Sequence, residues 1–180
     1  NSYGAQNFCY PVFNADYEVA KLDQKNKDIF KKLKAKLPKY IYSFPIDKLE
    51  ISDAILNNNN NLKKIIKIIH KEIRKKINNF LKKNKNKKIV ILDIPLLLEN
   101  KINKKKDILI YVQSKKSSIL KRLKKRKNFN QKLLKKFKTI QYSNTFKKKK
   151  SHFIIKNDFT KKSVNIGIKN ILNELNKWKK

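Results

Sequence analysis

Two aspartates stand where buried strands would end. Asp93 closes the apolar, β-branched run "IVILD" inside residues 89–95, and Asp16 closes "PVFNAD", residues 11–16. In a parallel sheet, ligands collect beyond the carboxyl ends of the strands, so a carboxylate there is placed where a substrate would sit. An acid after an apolar strand can hold Mg2+ directly or through water. The same two residues would serve as caps, accepting backbone N–H bonds from the turn or helix that follows. A second group of candidates is basic: "KRLKKRKNFNQ" sets Arg122 and Arg126 four residues apart on one helical face. Guanidinium groups so placed can clamp a polyphosphate and stabilise charge as it moves. The competing reading is a solvated basic helix.

Other chemistry is poorly supported. Loops that cradle phosphate need glycines, because backbone N–H groups must approach the anion and some positions need φ > 0. This chain has only Gly4 and Gly167 and no G-x-x-x-x-G-K-[ST]. Either it has no such loop or the loop lies before Asn1. His70 falls among Ile68, Ile69 and Ile73, which reads as a packed or helix-surface histidine. His152 has no partner at metal-ligand spacing and Cys9 is the only cysteine, so a zinc site is not supported.

The elements that must position these residues are legible in outline. Residues 11–16, 89–95, 108–114 and, more weakly, 152–157 have the continuous apolar character of strands buried on both faces in a parallel sheet. Between them lie helical stripes. Leu62, Ile66, Ile69, Ile73, Ile77 and Phe80 recur at spacings of four and three. Further helices are predicted from Ile119, Leu120 and Leu123, from Leu133, Leu134, Phe137 and Ile140, and from Val164, Ile168, Ile171, Leu175 and Trp178. Strands alternating with helices mean an α/β fold, a parallel sheet wrapped by helices. Pro38 and Pro45 bracket a connection, and residues 57–61, all asparagine, favour a turn or a helix start.

At 180 residues the chain fits one domain. The formal net charge of +35 would ordinarily point to nucleic acid or an anionic surface. Yet only three of the 48 basic residues are arginine, and the lysines are spread from Lys21 to Lys180. Lysine, asparagine and isoleucine share AT-rich codons, which weakens the charge as a sign of a polyanion partner. There is no aromatic-studded basic patch of the kind single-strand binders use, so nucleic acid is not expected as a partner. No apolar run approaches the roughly 20 residues of a membrane span, no signal-peptide order is seen, and one cysteine fits a reducing, cytoplasmic location. The chain begins at Asn1 and contains no methionine, so it is read as missing its beginning.

Taken in order, "PVFNADYEVAKL", "IIHKEI", "IVILDIPLLLEN", "RLKKRKNFNQ", Gln141 and "FIIKN" resemble the dephospho-coenzyme A kinase family over nearly the whole chain. The D-x-P-L-L-x-E element, Asp93 to Glu99, is the most specific of these. The resemblance implies a single P-loop kinase-like domain over 1–180. It would have a helical acceptor region at 17–88, a helical lid at 114–150, and a last strand and C-terminal helix at 151–180. It implies ATP-dependent phosphorylation of the ribose 3′-hydroxyl of dephospho-coenzyme A, with Mg2+, in the last step of coenzyme A synthesis.

Residue by residue, Asp16 matches the family's acceptor-contacting candidate base and Arg126 the lid arginine near the ATP phosphates. Arg122 matches the arginine one turn before it, and Asn157 the asparagine on the adenine side. Lys147 stands where the family usually has an arginine, so a bidentate fork becomes a point charge. His70 matches the histidine of a His-Pro pair, although Lys71 replaces the proline. Asp93, Pro95, Leu96 and Glu99 belong to the wall and turn leading to the acceptor, with Asp93 also near the metal.

The start departs most from the family pattern. Ser2 fits the metal-binding serine of the loop only if Asn1 stands at the lysine's place and the glycine loop and first central strand lie upstream. A chain lacking them is expected to be nearly inactive, because even one preorganised donor is worth about 10²–10³ in rate. Its strands near Ile89 and Ile108 are expected to flank a gap. The alternatives are another P-loop kinase, for a nucleoside monophosphate or a small metabolite, and a basic nucleic-acid-binding protein. The sequence leaves the oligomeric state open.

Overall fold

The computed structural model describes residues 10–177, the side chains of residues 23–25 excepted. Its strands pair in parallel as two separate two-stranded sheets. The chain forms two compact units, one of Tyr10–Ile102 with Asn130–Gln141, the other of Asn103–Phe129 with residues 142–177.

In the first unit β1 (Val12–Asn14) pairs with β2 (Ile91–Asp93), and the register sets Val12 against Ile91, Phe13 against Leu92 and Asn14 against Asp93. Parallel strands need a crossover connection. Here it is helical: α1 (Ala15–Lys25), α2 (Lys27–Lys36), α3 (Lys48–Asn57) and α4 (Asn59–Lys83). α4 carries the stripe read from the sequence, with Leu62, Ile73 and Ile77 buried and Ile66, Ile69 and Phe80 partly so, and it also buries Ile65, outside that reading. Phe80 on its last turns packs against Phe13 of β1, ring centroids 5.6 Å apart. Ile29 and Leu33, one turn apart on α2, and Ile41 are fully enclosed. Each such side chain contributes roughly 1.5–3 kcal/mol by leaving water.

Short polar side chains set the helix boundaries. Asn26 closes α1 and opens α2, its Oδ1 accepting from Asp28 N (3.0 Å) and Ile29 N (3.1 Å). Asp47 caps α3 at Leu49 N, and within the asparagine run Asn58 caps α4 at Asn60 N, both at 2.8 Å. The Pro38–Pro45 stretch is a non-helical connection, with a cis bond between Phe44 and Pro45. Buried Glu50 of α3 holds it. Its carboxylate accepts from Tyr42 N (3.0 Å), Ser43 N (3.2 Å) and Ser43 Oγ.

The second unit contains β3 (Ile110–Gln113), α5 (Lys116–Lys124), α7 (Asn144–Lys150), β4 (Phe153–Lys156) and α8 (Lys161–Lys177). Between α5 and α7 the chain supplies α6 (Gln131–Thr139) to the first unit, where Leu133 and Ile140 reach its core. The segment 114–150 is thus divided between the units. β3 pairs with β4, Ile110 with Phe153 through Gln113 with Lys156. α8 lies against β4, so closely that a Cβ on Gly167 would meet Ile155 Cγ2 at 2.9 Å. Burial on both strand faces is not realised here: Ile110, Val112 and Ile154 are each more than 40% exposed. A two-stranded sheet with its helix over β4 has too little cover for β3, and its apolar residues face solvent.

Candidate active site

The register of β1 and β2 brings the two strand ends together. Asn14 and Asp93 are direct partners in the ladder, and Asn14 Nδ2 donates to Asp93 Oδ2 at 3.4 Å. The other end of the same amide caps α1, with Oδ1 accepting from Tyr17 N at 2.9 Å. One side chain therefore ties the start of α1 to the tip of β2. Asp16 does not end the strand as expected: β1 stops at Asn14, whose side chain caps the helix that follows, and Asp16 lies in the first turn of α1, exposed, next to buried Ala15. A carboxylate there gains from the positive end of the helix and faces solvent. Asp93 is half-buried. Asn14 was not singled out from the sequence. Its position directly before a helix start at a strand end is the capping signal that marks it.

The "DIPLLLEN" element continues from β2 as a tight turn rather than a helix. Leu96 (φ 55°) and Lys101 (φ 49°) both adopt the left-handed region, which costs a non-glycine residue about 1–2 kcal/mol. The turn is closed by Asn100, whose backbone N and Nδ2 both donate to Leu96 O (3.0 and 2.9 Å). Pro95 is exposed, and Leu96 and Glu99 are half-buried. His70 lies on α4, its Nδ1 buried without a hydrogen-bond partner among the described residues. Burial, and secondarily the charge of Arg74, lower its pKa below the ordinary 6.5 and favour the neutral ring.

Also in this unit, an open cleft of about 750 Å3 is lined by Lys21, Lys27, Lys76, Asn26, Leu22 and Phe44, among others. Glu18 accepts from Lys76 Nζ at 2.8 Å. The lining thus joins three lysines and Asp28 to the apolar Leu22 and Phe44.

The basic candidates belong to the second unit, and one expectation is corrected there. Arg122 is on α5, but the helix ends at Lys124. Arg126 sits in the turn beyond it, its N–H on Leu123 O and its carbonyl accepting from Phe129 N, both 3.0 Å. The two arginines do not share a helical face. The chain must break there because extended Asn130 caps α6, accepting from Leu133 N at 3.0 Å. Arg122 stacks its guanidinium over Phe159, 4.6 Å from the ring centroid. Phe159 has φ 72° and donates its N–H to Oδ1 of buried Asn157 at 2.8 Å. The Asn157 N–H donates to Gln113 O at 2.8 Å, fastening the end of β4 to β3. Next to it, hydrogen bonds from Ser163 and Thr160 hold the exposed Asp158 carboxyl down at about 2. Lys147, half-buried, lies on α7. Ser2 lies outside the described residues.

No cluster of three or more potential metal-ligating side chains exists among the described residues. A single carboxylate such as Asp93 is compatible with Mg2+, which is usually held by one or two carboxylates with substrate phosphates and water completing the shell. No helix among the described residues is long and apolar enough to cross a membrane.

Comparison with known proteins gives a consistent picture. The family model for dephospho-CoA kinase matches residues 3–163. A Wolbachia pipientis wMel protein named dephospho-CoA kinase is 30% identical over 173 residues, 95% of this chain and 88% of its own length. A Bartonella quintana (strain Toulouse) protein of the same name is 30% identical over 146 residues, 80% of this chain and 74% of its own. Among solved structures, a Thermus thermophilus protein superposes with a TM-score of 0.73 at 19% identity, covering 97% of this chain and 89% of its own. The structure of dephospho-CoA kinase from Campylobacter jejuni gives 0.58 at 22% identity, covering 96% and 88%. At these identities the structural likeness speaks for the fold.

Proposed function

Because this chain belongs to the dephospho-CoA kinase family, the ATP-dependent enzymes of the last step of coenzyme A synthesis, we propose that Asp16, in the first turn of α1, handles the acceptor alcohol and Asp93, at the end of β2, the metal. Asp16 takes the proton of the ribose 3′-hydroxyl of dephospho-coenzyme A. The freed oxygen attacks the γ-phosphorus in line, a new P–O bond forms, and the bond to the β-phosphate oxygen breaks, releasing ADP. Asp93 would hold Mg2+, which would supply charge stabilisation for the phosphates. Asn14 keeps the two acids in fixed relation by bonding Asp93 and capping the helix that carries Asp16.

The acceptor reading extends over the first unit. His70 and the Pro95, Leu96 and Glu99 turn flank the acceptor, and Lys21 and Lys27 in the lining of the cleft suit an anionic substrate. Arg126 and Lys147 serve the ATP phosphates, and Arg122 and Asn157 serve the nucleotide near the end of β4. The lone cysteine fits work in a reducing cytoplasm.

The observation that carries this reading is the Asn14–Asp93 pairing at the two strand ends. Its test is Asp16→Asn in the complete gene product, assayed for ATP-dependent conversion of dephospho-coenzyme A. Loss of a positioned general base lowers turnover by about 10²–10⁴. Turnover within a few-fold of wild type would overturn the assignment.

A further inference from the structure

Arg74 has no part in the assignments above, and its side chain makes a long-range tie. It projects from α4, where its guanidinium donates to Asn100 O at 2.6 Å and more weakly to Lys101 O at 3.5 Å, 26 and 27 residues along the chain. These are the last carbonyls of the turn that follows Asp93. The turn is closed on itself at its near end by Asn100 on Leu96 O, by Lys101 N on Leu98 O (3.1 Å) and by Ile102 N on Leu97 O (3.0 Å). Two of its non-glycine residues, Leu96 and Lys101, are in the left-handed region. Such a conformation persists only where the surroundings over-determine it. Internal hydrogen bonds move with the turn, so they fix its shape without fixing its place. Arg74 supplies an external anchor, from a 25-residue helix whose other face is in the core.

The anchor is of a kind suited to orientation. A planar guanidinium stays charged and presents its donors in fixed directions, and here one nitrogen, Nη2, serves both carbonyls. His70 lies one turn earlier on the same helix, four residues from Arg74, and so on the same face. Its Nδ1 is buried and has no hydrogen-bond partner among the described residues, so the ring brings an unsatisfied polar atom to that stretch of the helix. We propose that Arg74 is a positioning residue for the acceptor. It holds the 96–101 turn against α4, so that the turn and the imidazole of His70 together form one wall of the dephospho-coenzyme A site. This rests on the acceptor reading given above, and it adds a residue that acts through the turn, not on the reacting atoms.

Arg74 is exposed and alanine is the best helix former, so Arg74→Ala leaves the fold intact. The test compares wild type, Arg74→Lys and Arg74→Ala in the complete gene product. Dissociation constants for dephospho-coenzyme A and for ATP are measured by calorimetry, and amide hydrogen exchange is followed at residues 96–102. In Arg74→Ala, exchange at 96–102 accelerates at least ten-fold, affinity for dephospho-coenzyme A falls at least ten-fold, and affinity for ATP stays within two-fold. Arg74→Lys, which keeps one donor, falls between, and millimolar guanidinium restores part of the acceptor affinity of Arg74→Ala. Unchanged exchange at 96–102 overturns the positioning role, as does equal weakening of both ligands, which would mark a general loss of stability. Faster exchange with unchanged affinity for dephospho-coenzyme A leaves the anchor in place but sinks the acceptor reading of the turn, and with it the role proposed for Arg74.

Discussion

Replacing Asn14 by aspartate separates the two jobs of one side chain. Aspartate caps a helix as well as asparagine does, so the bond to Tyr17 N is retained, whereas the donor to Asp93 Oδ2 at 3.4 Å becomes a second carboxylate. Two unit charges about 4 Å apart repel by about 4 kcal/mol at an effective dielectric of 20. Asp93 is only half-buried, so water and salt reduce this to roughly 2 kcal/mol. Asn14→Ala makes the complementary change. It loses the cap, about 1 kcal/mol, and a long hydrogen bond of roughly a few tenths, with no new charge. Urea unfolding at pH 7.5 and pH 5.0, at low and high salt, distinguishes them. Asn14→Asp should be destabilised by roughly 2 kcal/mol at pH 7.5 and low salt, and should recover much of this at pH 5.0, because one member of a like-charged pair protonates above its usual range. Asn14→Ala should lose roughly 1–1.5 kcal/mol at both pH values. If Asn14→Asp matches wild type at pH 7.5, or loses the same amount at either pH, the two strand ends do not meet as described.

Two further outcomes follow from buried polar groups in the same unit. Glu50→Ala strands the N–H groups of Tyr42 and Ser43, and at roughly 1.5–3 kcal/mol per bond to a charged group it should cost about 3 kcal/mol in denaturant unfolding; a loss under 1 kcal/mol would show that the connection is held by other means. His70 has a folded-state pKa below its ordinary 6.5, so the unfolded chain binds the proton first, and the stability present above pH 6.5 is lost as pH falls through the folded value. His70→Gln should flatten the stability curve between pH 7.5 and 5, and parallel curves for the two proteins would contradict the burial of the ring.

Much of this was legible in one dimension because its causes are local. The stripe from Leu62 to Phe80 became α4, the asparagine run became its cap at Asn58, and the runs ending near Asp16 and Asp93 became β1 and β2, each shorter than read. Periodicity and capping act within one or two helical turns, so neighbouring residues suffice to reveal them. The spacing of Arg122 and Arg126 misled because a four-residue interval has meaning only inside a helix, and α5 stops at Lys124 so that Asn130 can begin the next one. Burial on both faces failed for β3 because an apolar run records a strand's chemistry and not what covers it.

The residue types at the strand tips, the helical stripes and the order of motifs that marks the family were set by the sequence itself. Only the tertiary structure decided that Asn14 bonds Asp93 across 79 residues, that Arg74 reaches Asn100 across 26, and that the strands divide into two pairs. The physical reason is register. Which residue faces which across a ladder or between a helix and a turn depends on how whole apolar faces settle against one another, and a shift of one position would send these same side chains elsewhere.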